Sequence, residues 1–127
     1  MMWMRLLFAC LFMISLRTVP SVAQSAFPSR QGHIYVPYPA GGGVDVVTRT
    51  LGEELAKVWN QPVVIENRPG AGGTIASRAI ATAQPDGYTL IMVASGHATN
   101  PFMYPNLPYD PFKDFTPISL VGSSPNV

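Results

Sequence analysis

The spacing of hydrophobic and polar positions changes along the chain, and each change marks a predicted element. Segment 33–38 is short, apolar and rich in β-branched and aromatic residues, which is typical of a strand. After a loop at 39–43, apolar residues recur at steps of three, four or one, which predicts an amphipathic helix ending at Trp59. Its predicted apolar face comprises Val44, Val47, Leu51, Leu55, Val58 and Trp59.

The same order of elements repeats downstream. The apolar run 63–65 predicts a second strand, and the glycine-rich turn 68–73 leads into a predicted helix over 74–83. The small-residue face of that helix is made of Ile75, Ala76, Ala79, Ile80 and Ala83. Pro, Asp and Gly at 85–87 predict a turn, and the almost wholly apolar segment 88–94 predicts a third strand covered on both faces.

An alternation of three strands with two helices is typical of a parallel α/β sheet with right-handed crossovers. Such sheets bind ligands beyond the carboxyl ends of their strands, where the strand order reverses. If the first and third strands are neighbours, loops 39–43 and 95–100 face each other there. Segment 101–115 is rich in proline and aromatic residues without periodicity, which indicates an ordered surface loop, and 116–122 is predicted to begin a fourth strand.

The first loop carries candidate binding chemistry. Gly41, Gly42 and Gly43 place no β-carbons in the way of a ligand, and the following helix directs unpaired N–H groups toward the strand end. This arrangement can bind an anion, or the glycines can serve only to form a tight βα turn. Asp45 can cap free N–H groups or accept a hydrogen bond from a ligand, and the helix-start preference favours capping.

The loop at 95–100 offers a second set of polar groups, including an imidazole. A secreted α/β hydrolase that uses Ser95 and His97 is one alternative, although the paired glycines of a nucleophile elbow are missing and no acid lies nearby in sequence. His33 and His97 are too far apart for metal-ligand spacing, so no metal site is expected. His33 is interpreted as a strand-edge residue.

The turn at 70–75 follows a strand and opens a helix, as the dinucleotide-binding fingerprint does. It has the first two glycines of G-x-G-x-x-G, but Ile75 replaces the third glycine and no acid ends the next strand. The Gly-Lys-Ser/Thr of a P-loop occurs nowhere in the sequence. A nucleotide-binding module built on these glycines is a third hypothesis, and no cofactor is expected.

Residues 1–23 have the three parts of a secretory signal. Arg5 supplies the positive region, 6–16 the uncharged apolar run, and 21–23 the small residues that signal peptidase reads. The run is shorter than the roughly 20 residues of an ordinary membrane span. Cleavage would remove Cys10, the only cysteine, so neither a disulfide nor a cysteine metal site is expected.

The remaining residues, 24–127, carry a nearly balanced charge. Six basic and seven acidic side chains give a net charge of −1, and like charges do not form a run. Such a composition makes nucleic acid and anionic membranes unfavourable partners.

Four segments together resemble the Bug receptors, the periplasmic substrate-binding proteins of tripartite tricarboxylate transporters. They are VPYPAGGGVD at 36–45, QPVVIENRPGAGG at 61–73, PDGYTL at 85–90, and HATNP at 97–101 continued by LPYDPFKDF at 107–115. These motifs are long and stand in family order, and the resemblance extends over essentially all of residues 24–127.

The resemblance implies a type II periplasmic-binding-protein fold, in which two α/β lobes close over a small carboxylate. The ligand would be a di- or tricarboxylate, an acidic amino acid or an aromatic acid, which the receptor passes without catalysis to the membrane components of the transporter. Ligands are bound by backbone N–H groups and bridging waters from two loops. The matching residues are Pro39, Ala40, Gly41, Gly42, Gly43, Asp45, Ser95, Gly96, His97 and Asn100. Ala40 stands where many relatives have proline.

The resemblance also implies a longer protein, since two-lobe receptors exceed one ordinary domain. Residues 24–127 are therefore expected to be an incomplete first lobe with the second lobe missing, and residues 1–23 the signal peptide of a periplasmic protein. We expect this product to be a fragment or a truncated reading frame that is marginally stable and binds its ligand weakly alone.

Overall fold

The computed structural model describes residues 26–123, so the predicted signal peptide lies outside the described residues. The strands are β1 (Gly32–Val36), β2 (Val63–Asn67) and β3 (Thr89–Ile91), and the helices are α1 (Gly43–Trp59), α2 (Thr74–Ala81) and α3 (Gly96–Met103). A 3₁₀ turn (Ala71–Gly73) directly precedes α2. None of the helices between 26 and 123 has the length and hydrophobicity that a membrane span requires.

The three strands form one parallel sheet in the order β2–β1–β3. Ile34 of β1 faces Ile65 of β2 on one side and Leu90 of β3 on the other. The strand order reverses at β1, because the chain moves to one side for β2 and then crosses to the other side for β3. The predicted parallel sheet, with the first and third strands as neighbours, is confirmed.

The central position of β1 corrects the interpretation of His33 as a strand-edge residue. Its Nδ1 atom lies 2.8 Å from Oε1 of Glu66 on the neighbouring strand. The His33 hydrogen bond is the main cause that lowers the pKa of the Glu66 carboxyl, and Arg68 contributes to the same shift. His33 is therefore part of a polar group on the half-exposed face of the sheet.

Helix α1 forms as predicted, and four residues of its predicted apolar face, Val44, Leu51, Leu55 and Trp59, are half-buried, but the most buried positions lie to one side of that face. The residues that it buries are Asp45, Thr48 and Gly52, whereas Val47 and Val58 of the predicted apolar face are 48% and 80% exposed. The helix therefore approaches the sheet through positions that carry little hydrophobic side chain.

The close approach of α1 to β2 depends on Gly52. A Cβ atom at this position would lie 2.9 Å from Cδ1 of Ile65. Thr48 is fully buried, and its hydroxyl is satisfied by a hydrogen bond of 2.6 Å that it donates to the carbonyl oxygen of Val44 within the same helix. A small residue and an internally bonded hydroxyl thus replace the expected apolar contacts.

Two segments after β3 differ from prediction. The predicted loop 95–100 is mostly the first part of α3, since the carbonyl oxygen of Ser95 accepts the N–H groups of Ala98 and Thr99 and starts a helix. The predicted strand at 116–122 does not form, and residues 115–123 have no regular structure in the described part of the chain. Strand β3 is also shorter than predicted, so it offers little edge for a fourth strand.

An aromatic cluster anchors the amino-terminal segment to the sheet. The ring of Phe27 lies 5.5 Å from that of Trp59 and 4.9 Å from that of Tyr88. The N–H of Ser29 donates to the hydroxyl of Tyr88 at 2.8 Å. Because Trp59 ends α1 beside Gly32, where β1 begins, this cluster lies at the amino end of the sheet.

Candidate functional site

The loops after β1 and β3 meet at the carboxyl end of the sheet. The N–H of Ala94 donates to the hydroxyl of Tyr38 at 3.3 Å. A Cβ atom at Gly96 would lie only 3.7 Å from the same hydroxyl. Tyr38 directly precedes the first glycine loop, so its side chain joins the segment after β1 to the segment after β3. The facing of loops 39–43 and 95–100 themselves stays a prediction.

The mouth of the first glycine loop is open. A Cβ atom built at Gly41 or Gly43 would meet nothing within 4 Å, and at Gly42 it would meet only the carbonyl oxygen of Pro39 at 3.4 Å. Gly41 needs the conformational freedom of glycine because its φ is +82°. Pro39, Ala40 and all three glycines are exposed, so the backbone of this loop is accessible.

Free N–H groups lie at the amino end of α1. Gly42 is the N-cap and supplies no side-chain hydrogen bond. The N–H of Val46 bonds to Gly42, but the N–H groups of Gly43, Val44 and Asp45 have no acceptor among residues 26–123. A helix start with unpaired donors and a positive dipole end favours a negatively charged ligand.

Asp45 is buried, with only 2% of its surface exposed, and both oxygens accept hydrogen bonds. Oδ2 accepts the N–H of Gly41 at 2.8 Å and Nε of Arg49 at 3.0 Å, and Oδ1 accepts Nδ2 of Asn67 at 2.8 Å. Gly41 precedes the helix, and Asp45 makes no cap bond to α1, so the predicted capping role is wrong. The carboxylate holds the loop instead.

These donors keep Asp45 ionised. The Arg49 hydrogen bond, followed by those of Gly41 and Asn67, lowers the pKa of Asp45 to about 2. Arg49 also donates through Nη2 to Oδ1 of Asn67 at 2.8 Å. The negative charge of the Asp45 carboxylate is thus compensated by the guanidinium group of Arg49, which bonds both Asp45 and Asn67.

Of the predicted ligand-binding residues at 95–100, Asn100 bonds within the protein instead of facing solvent. Asn100 is buried, and its Nδ2 donates to the carbonyl oxygen of Gly72 at 3.1 Å and to the hydroxyl of Tyr109 at 3.3 Å. Ser95 is exposed as the N-cap of α3, and Gly96 is half-buried in its first turn. Gly96 therefore lies beside Tyr38, which precedes the first glycine loop, whereas Asn100 joins α3 to the second glycine turn.

His97 lies among aromatic rings. Its ring stacks on Tyr109 at 5.8 Å and meets the edge of Phe115 at 4.8 Å. Its Nδ1 atom lies 3.4 Å from Oγ of Ser77, and among the described residues Ser95 makes no side-chain hydrogen bond to it. Burial lowers the pKa of His97, so the imidazole is neutral at neutral pH. The hydrolase alternative is not supported.

The second glycine turn is filled by the protein itself. Cβ atoms at Gly70, Gly72 and Gly73 would lie 2.5, 2.8 and 3.1 Å from atoms of Ile75, Tyr104 and Pro37. This turn therefore packs against its surroundings, in contrast to the open first loop. Between residues 26 and 123, no group of three or more His, Cys, Asp or Glu side chains is arranged to hold a metal ion.

Sequence reasoning did not single out Tyr38, Arg49 and Asn67. The positions of Tyr38 and Asn67 gave a usable signal, since they follow or end strands at the carboxyl edge of a parallel sheet. Arg49 lies four residues after Asp45 on a helix, a spacing that brings opposite charges together. The hydrogen bonds of Asn67 to Tyr38 and Arg49 depend on the register in which β2 pairs with β1. The sequence pattern does not determine that register.

Comparison with known proteins identifies the family. The model of TctC, the tripartite tricarboxylate transporter family receptor, matches residues 47–127. The chain belongs to this family. It is 40% identical to protein BugT of Bordetella pertussis over 108 residues, which are 84% of this chain and 33% of BugT. The chain spans about one third of the length of the curated relatives that it matches.

Two solved structures are similar to this TctC family member in their three-dimensional fold as well as in sequence. The periplasmic binding protein BugD is 42% identical with a TM-score of 0.69, over 72% of this chain and 31% of BugD. MatC of Rhodopseudomonas palustris with bound malate is 45% identical with a TM-score of 0.69, over 75% of this chain and 33% of MatC. The periplasmic-binding-protein fold implied by the sequence is confirmed, and the chain matches only part of it.

Proposed function

We propose that this chain provides the anion-binding loop of a solute receptor that captures a small carboxylate. The observation that carries the proposal is the open glycine loop with three free N–H groups at the amino end of α1. This loop lies at the carboxyl end of the sheet beside the reversal of strand order, where parallel sheets bind ligands. Binding there requires no bond to form or break, so the proposed receptor is not an enzyme.

The proposed ligand is a di- or tricarboxylate, an acidic amino acid or an aromatic acid. MatC, which is similar to this chain, was solved with malate, a dicarboxylate. The proposed contacts are the backbone of Pro39, Ala40 and the glycines, with Ser95, Gly96 and the half-buried edge of His97 on the facing segment. The side chains of Asp45 and Asn100 bond within the protein, so they would act indirectly.

The proposed receptor works in the periplasm with the membrane components of a tripartite tricarboxylate transporter. Membership of the TctC family and the likeness to a periplasmic binding protein support this assignment. In this proposal residues 1–23 are a signal peptide that is removed on export, and residues 24–127 form part of the first of two lobes. Contacts from a second lobe would add affinity that the first glycine loop alone does not supply.

A malate titration of the purified chain, followed by amide NMR, tests the proposal. We expect saturable shifts of the Gly43, Val44 and Asp45 amide signals with a dissociation constant in the millimolar range, because one loop makes few contacts. The neutral diamide of malate should leave these signals unchanged, since the helix dipole and free N–H groups favour negative charge.

Two substitutions at Gly43 form a matched pair, because the open space there accommodates a side chain. Gly43→Glu places a carboxylate at the mouth and should abolish the malate shifts. The isosteric Gly43→Gln should retain binding to within about threefold, since it adds bulk without charge. The proposal is wrong if malate shifts no amide of the loop or if Gly43→Glu binds malate as well as the unchanged chain.

A further inference from the structure

We propose that Asp45, Asn67 and Arg49 are positioning residues that preset the glycine loop for anions without contacting the ligand. This inference rests on the proposed function of the loop and explains how a loop next to a buried carboxylate can accept a second negative charge. We call these three residues the loop clamp. It joins the start of α1 to the end of β2, 22 positions apart along the chain.

The loop clamp determines which backbone groups face inward. Asp45 accepts the N–H of Gly41 at 2.8 Å, and Asn67 donates 3.2 Å to the carbonyl oxygen of Tyr38. The Tyr38 carbonyl oxygen, which would repel an anion, is therefore bonded to a donor of the protein. The N–H groups of Gly43 and Val44 have no acceptor among residues 26–123.

The loop clamp also balances charge beneath the mouth. Asp45 is ionised, and its negative charge alone would oppose an approaching carboxylate. Arg49 bonds Oδ2 of Asp45 at 3.0 Å and Oδ1 of Asn67 at 2.8 Å, so the guanidinium lies beside the carboxylate that it compensates. Both Asp45 oxygens are occupied by protein donors and the side chain is buried, which leaves none of its atoms for a ligand.

Amide hydrogen exchange of the ligand-free chain tests the positional part. Asp45→Asn replaces an acceptor by a group with donors facing Arg49 and Asn67, and the Gly41 amide should exchange about tenfold faster. Asn67→Ala keeps the Asp45 carboxylate and should speed the same amide severalfold. The amide of Ile34 in β1 should not change, which separates local loosening from global unfolding.

A matched control uses the exposed pair of Glu54 and Lys57 on the same helix, whose atoms lie 2.6 Å apart. Glu54→Gln makes the same chemical change as Asp45→Asn far from the loop and should leave Gly41 exchange unchanged. Equal Gly41 exchange in the Asp45→Asn, Asn67→Ala and unchanged chains would show that the clamp does not hold the loop, and the proposal would fail.

Malate titrations of Arg49 variants test the charge part. Arg49→Met leaves the Asp45 carboxylate uncompensated and should weaken malate binding about tenfold. Arg49→Lys restores a positive charge and should recover affinity to within about threefold of the unchanged chain. A purely structural role of the Arg49 side chain would not distinguish the two variants by charge, so equal losses would overturn the proposal.

The two hypotheses fail in different ways. If the unchanged chain binds malate but the Asp45 and Asn67 variants bind it equally well, the positioning role is wrong and the proposed function stands. If the unchanged chain does not bind malate, the proposed function is wrong. Gly41 exchange then still decides whether the clamp holds the loop.

Discussion

Asp45 is a charged side chain with 2% exposure, and burying a charge is costly unless protein donors replace water. Three donors do so here: Gly41, Arg49 and Asn67. The position of Asp45 in the first turn of a helix predicted that it caps N–H groups of that helix. The backbone N–H that it accepts belongs instead to Gly41, which precedes the helix. Only the tertiary arrangement of the loop could show this, because Asn67 belongs to a different strand.

The low pKa of Asp45 predicts how folding stability responds to acid. The pKa in the folded chain is about 2, against a usual value of 3.8. A carboxyl with a depressed pKa contributes stability that is fully present above its unfolded pKa and is lost as pH falls through the folded value. Urea midpoints should therefore decrease between about pH 4 and pH 2.

The Asp45→Asn chain should be less stable than the unchanged chain at pH 7 and should lose less stability over that acid interval. Glu66 and Asp110 also have lowered pKa values, so some acid sensitivity remains in this variant. Circular dichroism during urea unfolding at each pH measures the difference. Parallel pH profiles of the two chains would contradict a contribution from Asp45.

At the scale of elements, α1 shows what hydrophobic spacing predicts and what it misses. The extent of the helix follows from the recurrence of Val44, Leu51 and Leu55, and it is confirmed to Trp59. The predicted face missed the most buried positions, because glycine gives no hydrophobic signal, although Gly52 is what lets the helix approach β2. Periodicity reports apolar content, whereas close packing depends on volume.

Gly52→Val tests the close packing of α1 on β2. The added side chain collides with Ile65, and overpacking of this kind costs about 1–3 kcal/mol of unfolding free energy. Valine gains less than about 0.5 kcal/mol over glycine in helix propensity, so the net effect is a loss. Urea unfolding followed by circular dichroism measures it.

Glu53→Val introduces the same residue at the neighbouring exposed position and is the matched control. Its unfolding free energy should stay within about 0.5 kcal/mol of that of the unchanged chain. Equal stability of the Gly52→Val and Glu53→Val chains would show that α1 does not lie as close to β2 as the structure indicates.

The sequence predicted three strands, two helices and the edge of the sheet that holds the first glycine loop. Segment 95–100 was missed as a helix because it was interpreted as the polar loop that leaves the third strand. Residues 116–122 have strand composition, but a strand also needs a neighbouring edge. That requirement is a property of the assembled sheet and is absent from the local sequence.

For the whole molecule, several large apolar side chains are exposed to solvent, which favours self-association. Phe102, Leu120 and Val58 are 86%, 83% and 80% exposed, and they lie on α3, the carboxyl-terminal segment and α1. Exposed apolar side chains are also neighbours in sequence at Phe102 and Met103 and at Leu120 and Val121, and neighbouring exposed apolar groups promote association. The purified chain should therefore bind a hydrophobic dye and associate with increasing concentration in size-exclusion chromatography.

The combined change Phe102→Ser and Leu120→Ser should reduce both dye binding and association without altering the circular dichroism spectrum. Thr116→Ser, also exposed, changes little apolar area and serves as the control. A chain that stays monomeric over the whole concentration range and excludes the dye would show that these side chains are covered in solution.

The aromatic anchor of Phe27 determines how the chain can be handled. Because Phe27 rests on Trp59 and Tyr88, it lies at the amino end of the sheet, opposite the end that holds the glycine loop. A chain tethered to a sensor surface through a tag ahead of Ala26 would present its mouth to the flowing solution. Attachment through the lysine side chains would instead give at least two orientations, since Lys57 lies on α1 and Lys113 in the turn at 111–113.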